Sequence, residues 1–235
     1  MRKFVDLHIV PRVEDEMSCK RLAEVLEVAG YTAIGFSVPT GLMQERIHDL
    51  RRIFEGNGIE TALRVDLTAT SRRELLRLLK RFRNSFDIVS VRCMNQNVAT
   101  VACRDRRVDV VSFDPRNPRV RFNHSLANVL RGALEFSLMS TLTGAHLEVL
   151  SRIAREMIVA RDHDTRVVLS SGSISYLTVR TPLQIAAVAS SIGLSAEQSL
   201  KAISDIPQSI IERNLRRRSE DYVEEGVRIV SLKAA

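Results

Sequence analysis

The chain has 235 residues, of which 45% are hydrophobic and 27% charged, a composition that suits one sizeable globular domain or two small ones. It contains neither an N-terminal apolar segment of the signal-peptide kind nor an apolar run of ~18 residues, so the sequence predicts no membrane contact and a cytoplasmic protein. Its three cysteines lack C-x-x-C spacing, which argues against a disulfide framework or a zinc ribbon.

The excess of positive charge favours a polyanionic partner. Lys and Arg number 35 against 28 Asp and Glu, a net charge of +7, and 30 of the 35 cations are arginine. Arginine makes bidentate contacts with phosphate, so the bias indicates nucleic acid. The alternative is an arginine-rich proteome in which Arg replaces Lys at solvated positions. The chain has no Trp and only 5% aromatic residues. We therefore expect it to recognise the phosphates and the shape of a nucleic acid, and not to stack on its bases.

The first predicted strand is Phe4–Val10, a short apolar run with β-branched residues that Pro11 ends. This pattern is typical of a strand buried on both faces of a parallel sheet. Asp6 and His8 are two residues apart, so we expect them to project to the same side, near the end of the sheet that usually binds ligands. The pair could hold a metal, contact a partner or do neither.

Strands and helices then alternate along the chain. Apolar periodicity predicts six further strands at Thr32–Val38, Ile59–Val65, Asp87–Cys93, Val108–Phe113, Ala133–Leu138 and Arg166–Leu169. It predicts helices at Glu16–Ala29, Leu42–Glu55, after a capping box of Ser71 and Glu74, and at Val98–Cys103, Leu126–Leu130 and Gly144–Ala160. The short, regular connections favour closure into a barrel over an open sheet, and no GxGxxG or P-loop motif follows any strand.

The pattern changes to helices from about residue 181. Helix starts are predicted at Thr181 with Pro182 and Gln184, at Ser195 with Gln198, and near Pro207. Residues Val227–Leu232 are either an eighth strand or a tail on the barrel. No linker or shift of composition divides the chain. We therefore expect a single domain over residues 1–235, an α/β fold consisting of one distorted TIM-like (β/α) barrel with about seven parallel strands and extra C-terminal helices.

Several segments together resemble a known family. They are FVDLHIVP, the VRC that ends the fourth strand, VVLSSGS, and the long run VRTPLQIAAVASSIGLSAEQSLKAISDIPQSIIERN. In this order and spacing they are similar to archaeal ribonuclease P protein component 3, the family of the human thirty-kilodalton ribonuclease P subunit, over nearly the whole chain. The resemblance implies a barrel related to polymerase and histidinol phosphatase domains. It also implies an RNA-binding subunit of the ribonucleoprotein that removes the 5′ leader from precursor tRNA.

Partners and cofactors follow from this resemblance. The expected partners are ribonuclease P RNA, precursor tRNA through the complex, ribonuclease P protein component 2 and the other protein components. In this family the cut is made by the RNA, so we expect the chain to act as a subunit of an endoribonuclease and not to be catalytic alone. No tightly bound cofactor is expected, while the RNA of the complex requires Mg²⁺.

The rival hypothesis is a metal-dependent phosphoesterase of the same superfamily. Its trinuclear site opens with His-x-His on the first strand, because several imidazoles and carboxylates must converge to hold adjacent divalent ions. His8 matches the first position, but Val10 stands where the second His is needed. At the end of the seventh strand, Ser171, Gly172 and Ser173 stand where an Asp-x-His set would lie. We therefore predict no metal site and no catalytic residue in this chain.

Candidate binding residues are predicted from their positions. Arg64 and Arg92 end the third and fourth strands, so they either face the barrel mouth or pair with a buried carboxylate such as Asp6 or Asp66. Arg180 either holds a phosphate near the following helix N-terminus or fixes the last helices through a salt bridge. The polar residues expected at the mouth are Asp6, His8, Ser170 and Ser171. Exposed loops around the fifth strand supply the candidates Arg104, Arg106, Arg107, Arg116, Arg119 and Arg121.

Two further basic stretches allow two interpretations. The third helix carries cations that either form a solvated face or add to a continuous basic patch: Arg72, Arg73, Arg77, Lys80, Arg81 and Arg83. The run RNLRRR at 213–218 either reaches RNA or ends a helix favourably, because cations are stabilising at a helix C-terminus.

Overall fold

The computed structural model describes residues 2–117, 119–138, 147–218, 222–224 and 227–228. Seven parallel strands form one sheet in chain order. They are β1 (Phe4–Ile9), β2 (Tyr31–Ser37), β3 (Glu60–Thr68), β4 (Ile88–Cys93), β5 (Val110–Phe113), β6 (Ala133–Ser137) and β7 (Val167–Ser170). Just beyond β7, Ser173 pairs with Ile9 in a parallel bridge, and its carbonyl accepts from the Val10 N–H at 2.8 Å. The sheet is thus nearly closed, which confirms the predicted TIM-like barrel.

Helices connect the strands and follow the last one. They are α1 (Glu16–Val28), α2 (Gln44–Glu55), α3 (Arg72–Phe82), α4 (Gln96–Arg104), α5 (His124–Ala127), α6 (Leu147–Asp162), α7 (Pro182–Ser191), α8 (Ala196–Ala202) and α9 (Asp205–Arg217). A 3₁₀ turn at Tyr176–Thr178 precedes α7. Residues 144–146 of the predicted sixth helix lie outside the described residues. No helix in the described part of the chain is long and apolar enough to cross a membrane.

Helix starts follow their capping residues. The capping boxes at Thr181 with Gln184 and at Ser195 with Gln198 are both present, as predicted. At α3, Ser71 accepts from the Glu74 N–H, but the Glu74 carboxylate accepts from the Thr70 N–H at 2.8 Å instead of closing the box on Ser71. The α5 helix begins earlier than predicted because Asn123 caps it, accepting from the Leu126 N–H at 3.0 Å.

The stretch Val227–Leu232 does not enter the barrel where the structure describes it. Val227–Arg228 (β9) pairs antiparallel with Tyr222–Glu224 (β8) in a separate two-stranded sheet. A partner so near in sequence is reached with little loss of chain entropy. Residues 229–232 lie outside the described residues.

The amino-terminal half of the barrel interior is apolar and is closed by α9. Its cluster contains Val5, Leu7, Ala33, Ala62, Ile88, Val110, Ala133 and Val168 from the seven strands, together with Ile210 and Ile211 from α9. Ile210 and Ile211 are 0% and 1% exposed. Three of the strand positions are alanine, and small side chains leave room for the two isoleucines in a close-packed interior. Helix α9 therefore plugs the end of the barrel opposite the mouth at the carboxyl ends of the strands.

Two buried aspartates hold α9 against the barrel. Asp87 directly precedes β4 and accepts from the Leu63 N–H at 2.7 Å, and Asp109 directly precedes β5 and accepts from the Val89 N–H at 2.9 Å. Each carboxylate also binds two arginines. Asp87 binds Arg51 of α2 and Arg218, which follows α9. Asp109 binds Arg83, which follows α3, and Arg213 of α9. Arg83, Arg213 and Arg218 are therefore engaged in the fold, which the sequence did not reveal.

Candidate functional site

Arg64 lies inside the barrel and is not a surface residue. Its guanidinium makes a bidentate contact with Glu135 of β6, at 2.7 Å from Nη1 to Oε1 and 2.6 Å from Nη2 to Oε2. It also donates to Asp66 from Nε at 3.0 Å and from Nη2 at 2.7 Å. The Arg64 and Glu135 side chains are each 1% exposed. Arg64 is therefore too buried to contact RNA, and it pairs instead with the buried Glu135 and with Asp66, whose side chain is 36% exposed.

Every donor of this guanidinium has a partner, since Leu7 O accepts from Nη1 at 2.8 Å and Ser90 Oγ from Nη2 at 3.0 Å. Burial opposes the charged forms, yet the opposite charges at contact distance dominate. The pKa of Arg64 is raised by Glu135 and Asp66, while Arg64 holds the pKa of both carboxyls below their usual values. The charged network is thus maintained in the interior.

The groups near Arg64 do not fit a divalent metal. Two carboxylates and an imidazole meet here, with His8 Nε2 3.6 Å from Asp66 Oδ2, but the Arg64 guanidinium already binds both carboxylates. Burial and the nearby Arg64 charge lower the pKa of His8. A divalent ion would have to displace a fully paired cation. Among the described residues no group of three or more His, Cys, Asp or Glu is arranged to hold a metal ion. That the protein carries no metal in solution stays a prediction.

Asp6 and His8, expected to project to the same side of β1, have different surroundings: His8 is among the residues that line the mouth cavity and Asp6 is not. In the pairing of β1 with β2, Asp6 is opposite Ile34 and Ile9 is opposite Phe36, so β1 has one extra residue between them. Such a bulge re-aims the side chains that follow it. His8 lines the mouth cavity, whereas Asp6 accepts from the N–H groups of His8 and Ser171, each at 3.0 Å. Burial raises the pKa of Asp6 to about 6.

The predicted polar residues of the mouth are mostly buried at the seam between β1 and β7. Ser170 and Ser171 are 0% and 1% exposed. Within the described residues, His8 Nδ1 and Ser170 Oγ have no hydrogen-bond partner. A cavity of about 180 Å³ opens beside His8 and is also lined by Arg92, Ser112, Asp114, Glu135 and Glu156. Both positively and negatively charged side chains line the cavity, so its charge favours neither an anionic nor a cationic ligand.

The remaining arginine candidates divide by exposure. Exposed at the surface are Arg92, Arg104, Arg106, Arg116, Arg119, Arg121 and Arg180. Arg107 is half-buried and its guanidinium is bound to Asp105 at 2.9 Å from Nε and 2.7 Å from Nη2. The Arg180 guanidinium donates to the Val179 carbonyl at 2.8 Å, beside the start of α7. An exposed arginine can reach a phosphate. For Arg107 to do so, Asp105 must first be displaced from its guanidinium.

Comparison with known proteins decides between the two hypotheses. A family model described as RNase P subunit p30 matches residues 3–219. The chain belongs to this family. It is 26% identical to the ribonuclease P protein component 3 of Methanosarcina barkeri, over 97% of this chain and 96% of that protein. It is 28% identical to that of Methanothermobacter thermautotrophicus, over 98% of this chain and 96% of the relative.

The fold of this chain is also seen in one chain of a solved complex. A chain in the cryo-EM structure of archaeal Ribonuclease P with mature tRNA superposes with a TM-score of 0.84 at 18% identity, covering 98% of this chain and 100% of that one. At this identity the match shows the fold alone. Family membership confirms the resemblance found in the sequence and favours a ribonuclease P protein subunit over a metal hydrolase.

Proposed function

We propose that this chain is an RNA-binding protein subunit of ribonuclease P that helps the catalytic RNA fold and act on precursor tRNA. The observation that carries the proposal is the family match over residues 3–219. Two features of the fold support it. Arginines are exposed on the loops around β5, and Arg64 binds the carboxylates that a hydrolytic metal would need.

Partners are proposed on the same basis. They are ribonuclease P RNA, precursor tRNA through the complex, ribonuclease P protein component 2 and the other protein components, in a cytoplasmic particle. The chain acts as one domain and supplies no cofactor, while the RNA uses Mg²⁺ for cleavage. Arginines that bridge phosphates reduce the repulsion between RNA strands, which is also what added divalent cations do.

This shared role gives a test that separates a scaffold from an active-site protein. In the reconstituted complex, Arg106→Glu with Arg180→Glu should lower precursor tRNA cleavage several-fold at limiting Mg²⁺, and raising Mg²⁺ should restore much of it because added cations screen the uncovered phosphates. His8→Ala should have the smaller effect. Unchanged cleavage in the double variant, together with loss at every Mg²⁺ concentration in His8→Ala, would contradict the scaffold function.

A further inference from the structure

The outer face of α3 carries a concentration of positive charge that is in no ion pair within the described residues. The helix contains five cations and one carboxylate, a net charge of +4 within a chain whose net charge is +7. All five cations are exposed: Arg72, Arg73, Arg77, Lys80 and Arg81. The buried face consists of Leu75, Leu79 and Phe82, so the charged residues are those that point away from the barrel.

Three of these cations form a stripe along the helix. At about 100° per residue, Arg73, Arg77 and Lys80 fall within a sector of roughly 60° and lie opposite the buried leucines. With a rise of ~1.5 Å per residue, the stripe is about 10 Å long. We call these three residues the α3 stripe.

The α3 stripe differs from three exposed cations on other helices, each of which is in an ion pair. Lys20 binds Glu16 at 2.8 Å, Arg52 binds Asp49 at 3.0 Å and Lys201 binds Glu197 at 2.6 Å. The single carboxylate of α3, Glu74, accepts instead from the N–H and hydroxyl of Thr70, each at 2.8 Å.

In the part of the chain that the structure describes, none of the five α3 cations is in an ion pair. Arg73 and Arg77 are also four residues apart, a spacing at which like charges destabilise a helix slightly. The stripe therefore contributes nothing visible to the fold.

A neighbouring element extends this surface. Helix α4 packs beside α3, and it ends in Arg104, which Arg106 follows; both side chains are exposed. The cation closest to these in sequence, Arg107, is bound to Asp105. Two further exposed cations thus lie at the end of the helix that neighbours α3.

We propose that the α3 stripe is a docking surface for the phosphate backbone of double-stranded RNA. The inference rests on the proposed RNA-binding function and says where on the molecule that function lies. Binding a phosphate here breaks no existing ion pair, and it releases the counterions that the phosphate held. Double-stranded RNA is recognised largely through its shape, its 2′-hydroxyls and its phosphates.

The surface chemistry of α3 disfavours single-stranded RNA. Proteins that bind single strands without sequence preference stack bases on exposed aromatic side chains. The aromatic residue of α3, Phe82, is 8% exposed, and the Arg81 guanidinium lies 5.0 Å from its ring centroid. Cations without aromatic neighbours bind backbone phosphate and read no base, so we expect binding to be independent of duplex sequence.

The test uses the purified full chain and a mixed-sequence RNA duplex, with affinity measured by fluorescence anisotropy over a series of KCl concentrations. The variant R73Q/R77Q/K80Q removes the stripe. Its matched control, K20Q/R52Q/K201Q, removes the same charge from exposed helical positions. The stripe variant should bind more weakly, and the slope of log affinity against log salt should shrink by about 2 to 3, since each phosphate contact contributes roughly 0.9. The control should keep the wild-type slope.

Four further outcomes decide the proposal. R73K/R77K should keep the wild-type slope, because charge and not guanidinium geometry makes the contact. If the wild type binds the duplex but the stripe variant has the same slope, the docking surface is wrong while the RNA-binding function stands. If the wild type binds no RNA, both fail. A stripe variant that loses affinity for polyglutamate but not for the duplex would assign the surface to an acidic protein and overturn the proposal.

Discussion

Two sets of cations in this barrel show how differently the same side chains are used. Arg64 is 0% exposed and has all of its donors bound, four of the contacts going to Glu135 and Asp66. The cations of the α3 stripe, Arg73, Arg77 and Lys80, are exposed and form no ion pair within the described residues. The buried Arg64 stabilises the fold, whereas the cations of the α3 stripe can contact a partner. An excess of arginine therefore indicates function only after the internally bound ones are set aside.

The largest expected effect is that of removing the buried cation. Arg64→Leu should lower the free energy of unfolding by about 3 to 5 kcal/mol, because the buried Glu135 carboxylate remains without its counter-ion. Urea denaturation measures this. The double variant Arg64→Leu with Glu135→Leu should recover part of the loss, since the remaining buried charge is smaller. Equal stability of Arg64→Leu and wild type would show that the interior network is solvated in solution.

The next effect depends on pH. Glu156 of α6 is 3% exposed, and burial raises its pKa from 4.5 to about 7, with Arg152 opposing the shift. A carboxyl with a raised pKa in the folded state gives stability that is full below pH 4.5 and is lost as pH rises through about 7.

Glu156→Gln stays neutral throughout this range. The stability of the variant relative to wild type should therefore increase by roughly 3 kcal/mol between about pH 5 and about pH 8. Thermal denaturation of the two proteins across that range measures the difference, in which groups common to both cancel. A pH-independent difference would contradict the raised pKa of Glu156.

A smaller loss is expected at the plugged end of the barrel. Arg213 donates to the buried Asp109 at 2.5 Å, and hydrogen bonds to charged groups contribute about 1.5 to 3 kcal/mol. Arg213→Ala should thus destabilise the protein by about 2 kcal/mol, measured by chemical denaturation. The neighbouring Arg216, exposed on the same helix, is the control, and Arg216→Ala should change stability by less than ~0.5 kcal/mol. Equal effects at the two positions would show that the contact of Arg213 with Asp109 does not stabilise the fold.

The smallest expected effect concerns the α3 stripe itself. The R73Q/R77Q/K80Q variant should be as stable as wild type, or more stable by up to ~0.5 kcal/mol at low salt, because repulsion between like charges is relieved. Melting temperatures at low and high salt measure this. A clear destabilisation would mean that the stripe has a structural role, and would remove the contrast with Arg64.

Local sequence patterns were enough to place the secondary structure. All seven barrel strands were predicted within a few residues, because strands buried on both faces appear as short β-branched runs. The caps of α7 and α8 were predicted from two short motifs. Side-chain contacts that form only when the barrel closes were not predicted. Glu135 lies 71 residues from Arg64, and nothing local to either residue identifies the other.

Some of the missed features did leave a signal. Glu135 is the one charged residue in the strand ALEFS, and a charge in so short a buried strand requires a buried counter-charge. Arg64 in the third strand was the natural candidate. The extra residue in β1 has no such signal, because a bulge between Asp6 and Ile9 changes no residue type. Ile210 and Ile211 can fill the end of the barrel only because of its width, and the width cannot be read from the order of residues in the sequence.

The pairing of Arg64 with Glu135 also bears on how the chain folds as it leaves the ribosome. A nascent barrel that ends after β5 contains Arg64 but not Glu135, so collapse at that stage would bury an incompletely neutralised guanidinium. Closure requires still later residues, since the Val5 N–H donates to the Ile203 carbonyl at 2.9 Å and α9 fills the interior. Such long-range contacts slow folding. We expect half-synthesised barrels to remain open, and folding to become cooperative only once α9 has been made.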